Sequence, residues 1–169
     1  MDEIASQIDP HVPALRRYAW ALVRDREGAD DLVQDCLERA ISRWRLRRRD
    51  GDLKAWLFAI LHNRFVDDLR RRRREGLRVD LDAAVDIPAT GDDAESRVAV
   101  RDILDALDRL PAEQRAVILL VGVEDLSYEA AARVLDVPIG TVMSRLSRGR
   151  ERLRNHLGPN PVPVLRRVK

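Results

Sequence analysis

Apolar residues recur along this chain at three- and four-residue steps, and no sustained alternation of period two appears, so the pattern predicts helices and no strands. The cleanest run covers residues 29–44. Leu32, Val33, Cys36, Leu37, Ala40, Ile41 and Trp44 form an apolar stripe, opposite a polar face bearing Asp31, Gln34, Asp35 and Glu38. A second helix is expected from about Leu53 to Arg73, after the loop signal Asp50-Gly51-Asp52. Its buried side is Leu53, Leu57, Ile60, Leu61 and Phe65, with Trp56 near the edge. Near the other end, Tyr128 to Leu135 reads as a short helix with Ala131, Val134 and Leu135 inward, followed by the tight turn Asp136-Val137-Pro138. A new helix then starts near Gly140 with Thr141 as its N-cap. Val142, Leu146 and Leu153 fall on one side, and Arg145, Arg148, Arg150 and Arg152 on the others. A short helix, a three-residue turn and an arginine-bearing helix make a helix-turn-helix.

Residues 76–97 break the period. They hold Gly76, Pro88 and Gly91 among aspartates, which predicts a flexible acidic linker between two small helical domains, residues 1–75 and 98–157. The proline-rich residues 158–169 are expected to lie outside the second core as a tail. The fold class is therefore all-α, with two domains and a helix-turn-helix in the second.

Charge sharpens this division. Of the 169 residues 36% are charged, yet the net charge is only +2. By segment, residues 1–75 carry 17 basic against 14 acidic side chains, residues 76–97 carry 2 against 6, and residues 98–169 carry 12 against 9. Two mildly basic blocks flank an acidic one, a balance unsuited to coating any polyanion indiscriminately. No stretch approaches the roughly 18 apolar residues of a membrane span, and a signal peptide's basic and apolar regions are missing. The one cysteine, Cys36, cannot form an internal disulfide. A cytoplasmic, reducing location without membrane insertion is the expectation.

The arginines carry the candidate chemistry. An arginine-bearing helix after a tight turn suits the DNA major groove, where guanidinium groups contact phosphates or pair with guanine. Arg70 to Arg74 run consecutively at the end of the second helix and are too basic to bury. Trp56 and Phe65 lie upstream on that helix. They suit stacking on unpaired bases, and equally suit core packing. The acidic face of residues 31–38 suits either a partner or plain solvation. Cys36, on the apolar stripe, reads as a small core residue.

The order of these segments resembles the extracytoplasmic-function group of bacterial sigma factors. DDLVQDCLERA resembles that family's core-polymerase-binding helix, AWLFAILHNRFVDDLRRRRR its promoter-melting helix, and LPAEQRAVILLVGVEDLSYEAAARVLDVPIGTVMSRLSRGRERLR its −35-reading region; together they span about residues 10–157. The resemblance implies a sigma factor that recruits core RNA polymerase to promoter DNA, with an anti-sigma factor as regulator and no cofactor or metal. By the same resemblance Asp31, Gln34, Asp35 and Glu38 would contact polymerase. The loop Arg47, Arg48, Arg49, Asp50 and Asp52, with Trp56, would receive a flipped −10 base. Asn63, Asp67, Arg70, Arg71 and Arg73 would lie along the opened strand, and Thr141, Ser144, Arg145, Arg148 and Arg150 would meet the −35 duplex.

Three positions depart from the family's pattern. Asp136 stands in the turn where Gly is usual, and Asp tolerates the left-handed conformation needed there. Met143 stands where Lys is common, removing one DNA contact. Gly149 replaces Ala inside the recognition helix, at a cost of about 1 kcal/mol. Other classes fit less. His11, His62 and His156 are scattered, and no CxxC, HExxH or glycine-rich phosphate loop is present, which argues against an enzyme. A sigma-like decoy could dispense with a basic recognition helix. An ordinary helix-turn-helix repressor would leave the first domain without work.

Overall fold

The computed structural model describes residues 2–48, 51–76 and 94–158, with side chains from residue 100 onward in the last segment. Eight α-helices carry these residues: α1 (Asp2–Ile8), α2 (Val12–Val23), α3 (Arg26–Ser42), α4 (Leu53–Arg74), α5 (Ala94–Asp108), α6 (Ala112–Ile118), α7 (Tyr128–Leu135) and α8 (Ile139–Leu157). No strand occurs among the described residues, in agreement with the all-α reading. Residues 77–93 and 159–169, where most of the expected linker and tail fall, lie outside the described residues, as do Arg49 and Asp50. Helix α5 begins at Ala94, within the segment read as linker.

Local signals set the ends of α3 and α4. Asp25 caps α3, its carboxylate accepting from Gly28 N–H at 2.8 Å; a Cβ at Gly28 would come within 2.8 Å of that oxygen, so only glycine leaves the cap room. Asp52 caps α4 through Ala55 N–H at 3.0 Å. Helix α2 ends differently. Arg24 adopts the left-handed conformation, φ 58°, so that its N–H returns to Trp20 O at 2.8 Å. A non-glycine residue there costs about 1–2 kcal/mol, and the contacts of its side chain offset it.

The first core is built by α2, α3 and α4 around Leu15, Tyr18, Leu22, Val33, Cys36, Leu57, Phe58 and Leu61, all nearly or wholly buried. The Tyr18 and Phe58 rings meet edge to face at 5.2 Å, a geometry that adds to their area burial. Cys36 is fully buried, donates its Sγ–H to Leu57 O at 3.5 Å, and has its thiol pushed up to about 12 by burial, which makes it the inert core residue the apolar stripe indicated. Ile41 departs from that stripe, at 45% exposed. Helix α3 ends at Ser42, and Trp44, in a short 3-10 turn, is half-buried against the core.

The second core joins α6, α7 and α8 through Val117, Leu120, Val121, Val134, Val142, Leu146 and Leu153. Helix α6 widens at its end into a π-helical turn over Leu119–Val123, after which Asp125 takes the left-handed region at φ 59°. That widening turns Glu124 into the protein, where it is 2% exposed.

The two cores are not separate bodies. Helix α7 packs along α4, and α6 with its π-helical turn touches α2. Charged groups bracket this seam. Arg17 on α2 donates from Nε (3.2 Å) and Nη2 (2.9 Å) to the two carboxylate oxygens of Glu124, and Lys54 on α4 donates to the Glu124 carbonyl. Farther along, Arg24 Nε lies 3.1 Å from Asp108 Oδ2, and Arg115 Nη1 3.7 Å from Asp108 Oδ1. Burial holds the Asp108 carboxyl above its ordinary value, despite both guanidinium groups.

Candidate nucleic-acid interface

The helix-turn-helix forms as its sequence dictates, with one shift at its centre. Ser127 caps α7, its hydroxyl accepting from Ala130 N–H at 3.1 Å. Asp136 takes the left-handed conformation, φ 53° and ψ 50°, in place of the family's glycine. Helix α8 then begins at Ile139 with Pro138 in the cap position, so Thr141 is not the N-cap but a residue of the first turn. Proline's fixed φ suits helix entry, and the cap lies three residues before Thr141. Thr141 is half-buried, and its carbonyl accepts from the Ser144 hydroxyl at 3.1 Å.

Along α8 the apolar edge is Val142, Leu146, Gly149 and Leu153. Gly149 corrects the sequence reading. A Cβ there would meet Ile118 Cδ1 at 2.7 Å and Gln114 Cβ at 3.4 Å, so the missing methyl lets α8 approach α6 closely. The helix-propensity loss is exchanged for close packing. Ser144 and Arg148 are exposed, and Arg150 is half-buried. Arg145 is only 24% exposed, lies 3.8 Å from Glu113 Oε2, and is close enough to His62 on α4 to help depress that imidazole.

On α4 the expected residues spread over two zones. At its start Trp56 meets Trp44 edge to face at 6.2 Å, and Arg47 covers the Trp44 ring at 4.7 Å. Arg47 and Trp56 line a cleft of about 560 Å³ with Arg48, Asp52 and, from the second domain, Arg133. That volume suits a nucleotide-sized ligand. Of these, Asp52 is already committed to capping α4. At the other end Asn63, Asp67 and Arg70 to Arg74 line the outer part of the helix, all of them exposed. Phe65 is half-buried against the core, so of its two readings the structure shows packing.

His62 lies between these zones. Its Nδ1 is 3.0 Å from the Tyr18 hydroxyl, and its pKa falls to about 4, chiefly through burial and secondarily through Arg145. The acidic face on α3 is not uniform. Asp31, Gln34 and Glu38 are exposed, with Gln34 donating to Glu38 at 3.1 Å. Asp35 instead accepts from Arg64 Nε of α4 at 2.7 Å, and the same guanidinium reaches Asp68 at 3.2 Å. Asp35 thus braces α3 against α4 besides any contact it offers outward. The seam residues Arg17, Arg24, Lys54, Asp108, Arg115 and Glu124 escaped the sequence reading. Their one signal was Glu124 ending the otherwise apolar run ILLVGV. Among the described residues no group of acidic, His or Cys side chains could hold a metal, and no helix is long and apolar enough to cross a membrane.

Known proteins bring these parts together. A family model described as the Sigma2 domain of PhyR matches residues 8–62, and one described as Sigma-70, region 4, matches residues 101–153. The ECF RNA polymerase sigma factor EcfG of Rhodopseudomonas palustris is 37% identical over 152 residues, 90% of this chain and 83% of the relative. SigM of Mycobacterium tuberculosis, another ECF RNA polymerase sigma factor, is 35% identical over 148 residues, 88% of this chain and 74% of its own. Among solved structures, the sigma factor RpoE of Bartonella quintana, in complex with the anti-sigma factor NepR, is similar with a TM-score of 0.79 and 35% identity, covering 93% of this chain and 98% of that one. The chain belongs to the ECF RNA polymerase sigma factors.

Proposed function

We propose that this chain is a sigma factor that binds core RNA polymerase, directs it to specific promoters and starts DNA-templated transcription, working in the cytoplasm by binding energy alone and not as an enzyme. The observation that carries this reading is the coexistence, on one member of the family, of an exposed acidic patch on α3 and two separate arginine-bearing DNA faces, on α4 and α8. The exposed Asp31, Gln34 and Glu38 would meet the polymerase, with Asp35 behind them. The cleft lined by Arg47, Arg48, Asp52 and Trp56 would take a base of the opened −10 strand, and Arg70, Arg71 and Arg73 would track its phosphates. Ser144, Arg145 and Arg148 would face the −35 duplex. An anti-sigma protein is the expected regulator, since the RpoE relative was solved in complex with one.

A second reading, a sigma-like decoy, is favoured by the match of residues 8–62 to a domain of PhyR. Run-off transcription with core polymerase and a pool of genomic promoters decides between them. Discrete transcripts that depend on the chain support the sigma factor. Core binding without transcripts, or no core binding, supports the decoy.

A further inference from the structure

We infer that the leading turn of α8 reads the −35 duplex by apolar contact, Met143 with Ile139 beside it meeting the C5-methyl group of a thymine, and that Met143 thereby determines promoter specificity. This inference rests on the proposed function, since it gives a chemistry to the helix placed there against the −35 element.

A recognition helix enters the major groove with its N-terminal residues foremost. On α8 those residues are not basic. Ile139 is 40% exposed and Met143 50%, and both fall within the first five residues of the helix. Four positions apart, they are neighbours on one flank. The exposed Gly140 and Ser144 continue the same outward surface. The arginines stand elsewhere. Arg145 is drawn to within 3.8 Å of Glu113, Arg150 is half-buried, and the exposed Arg148 follows Met143 by more than a turn.

Among the described residues nothing accounts for an apolar, side-chain-poor surface here. Val142 and Leu146 supply the contact of α8 with the core, whereas Ile139 and Met143 stand outside it. A Cβ at Gly140 would meet nothing within 4 Å, and Gly140 has no positive φ, so neither packing nor a turn requires glycine. The missing side chain does clear the way for a surface approaching from outside.

The major groove presents hydrogen-bonding edges at every base pair but a single kind of apolar group, the thymine C5-methyl. A thioether on three rotatable bonds adapts to so small a target. A lysine at position 143 would instead place a point charge that any phosphate satisfies. Methionine therefore exchanges sequence-independent attraction for contact with one base.

The test uses holoenzyme assembled from core polymerase and the full chain, on a promoter that it selects from a genomic pool. Each thymine of the −35 element is replaced in turn by deoxyuridine, which removes only the methyl group. At one position or two adjacent ones, the replacement should weaken binding about fourfold, the worth of one buried methyl. Met143→Ala holoenzyme should bind the thymine and deoxyuridine duplexes equally, with the melting temperature of the chain unchanged because position 143 is exposed. Met143→Lys should also lose the distinction, and its salt dependence should steepen by about 0.9 for each phosphate gained. A −35 element without thymine, or deoxyuridine duplexes all bound as tightly as the parent, overturns the inference and leaves the sigma-factor reading standing. A deoxyuridine penalty that survives in Met143→Ala also overturns it, since the methyl is then felt through DNA shape or another side chain. If the holoenzyme selects no promoter, the reading beneath falls and the methyl contact with it.

Discussion

The seam between the domains and the basic end of α4 use the same residue type to opposite ends. Arg71 to Arg74 stand in a block on the surface, where Arg71 Nη2 lies 3.4 Å from Asp68 Oδ1. Arg24 and Arg115 are isolated in the sequence, and their side chains are 4% and 6% exposed around one aspartate. The conspicuous arginines hold little of the fold, and the inconspicuous ones join its halves. A guanidinium in water is already well solvated, so an exposed pair contributes about 0–1 kcal/mol. A buried one has surrendered its water, and removing its partner strands a charge at about 3–5 kcal/mol.

Four substitutions or conditions probe that contrast. The largest effect is expected at Arg24. Arg24→Ala removes the nearer partner of Asp108, leaving Arg115 at 3.7 Å, and should lower unfolding free energy by about 3 kcal/mol in urea titration. Arg24→Gly should recover about 1 kcal/mol of this, since glycine adopts φ 58° without strain. Equal losses for the two would mean that the backbone carries no strain there.

Next comes His62, half-buried on α4. Its pKa is lowered to about 4, from 6.5 when unfolded, so between these values the unfolded chain binds the extra proton. Stability is therefore fully present above about pH 6.5 and declines as pH falls toward 4, by up to about 3 kcal/mol. Thermal melts from about pH 7 to about pH 4.5 should show the decline, and His62→Gln should flatten it. A decline of the same size in His62→Gln would assign it to other groups.

A smaller effect separates two neighbours on α3. Asp35→Arg breaks the 2.7 Å bond to Arg64 and repels it, costing about 1 kcal/mol, whereas the exposed Asp31→Arg should leave the melting temperature unchanged. Both should weaken core-polymerase binding in a pull-down. Undiminished binding by Asp31→Arg would remove the α3 face from the polymerase contact.

The smallest structural effect belongs to the arginine run. Arg70→Ala, Arg71→Ala and Arg73→Ala should each shift stability by less than about 0.5 kcal/mol. Combined, they should weaken binding to single-stranded −10 DNA and flatten its salt dependence, the slope falling by about 0.7 for every phosphate no longer neutralised. If only duplex −35 binding suffers, the run tracks a different strand.

The same division runs through what could be read before the fold was known. Helices were legible because their signals lie within four residues: the apolar period of α3, Ser127 capping α7, and Asp136 taking the left-handed turn. Even so, one cap was placed wrongly, because Thr141 and Pro138 both satisfy a local rule and Pro138 lies closer to the turn. Gly149 looked like a weakness in an isolated helix, and only the approach of Ile118 shows that the space is used.

Sequence alone determined the helical class, the helix-turn-helix and the arginine-bearing faces, since periodicity, capping and unburied charge are properties of adjacent residues. Tertiary structure alone decided that Asp35 braces Arg64 from 29 residues away, that Arg133 lines the cleft of the other domain, and that the buried Glu124 and the half-buried Asp108 become joints of the seam. The reason is physical. A charge's role depends on whether water or a partner surrounds it, and the partner comes from wherever the chain folds back.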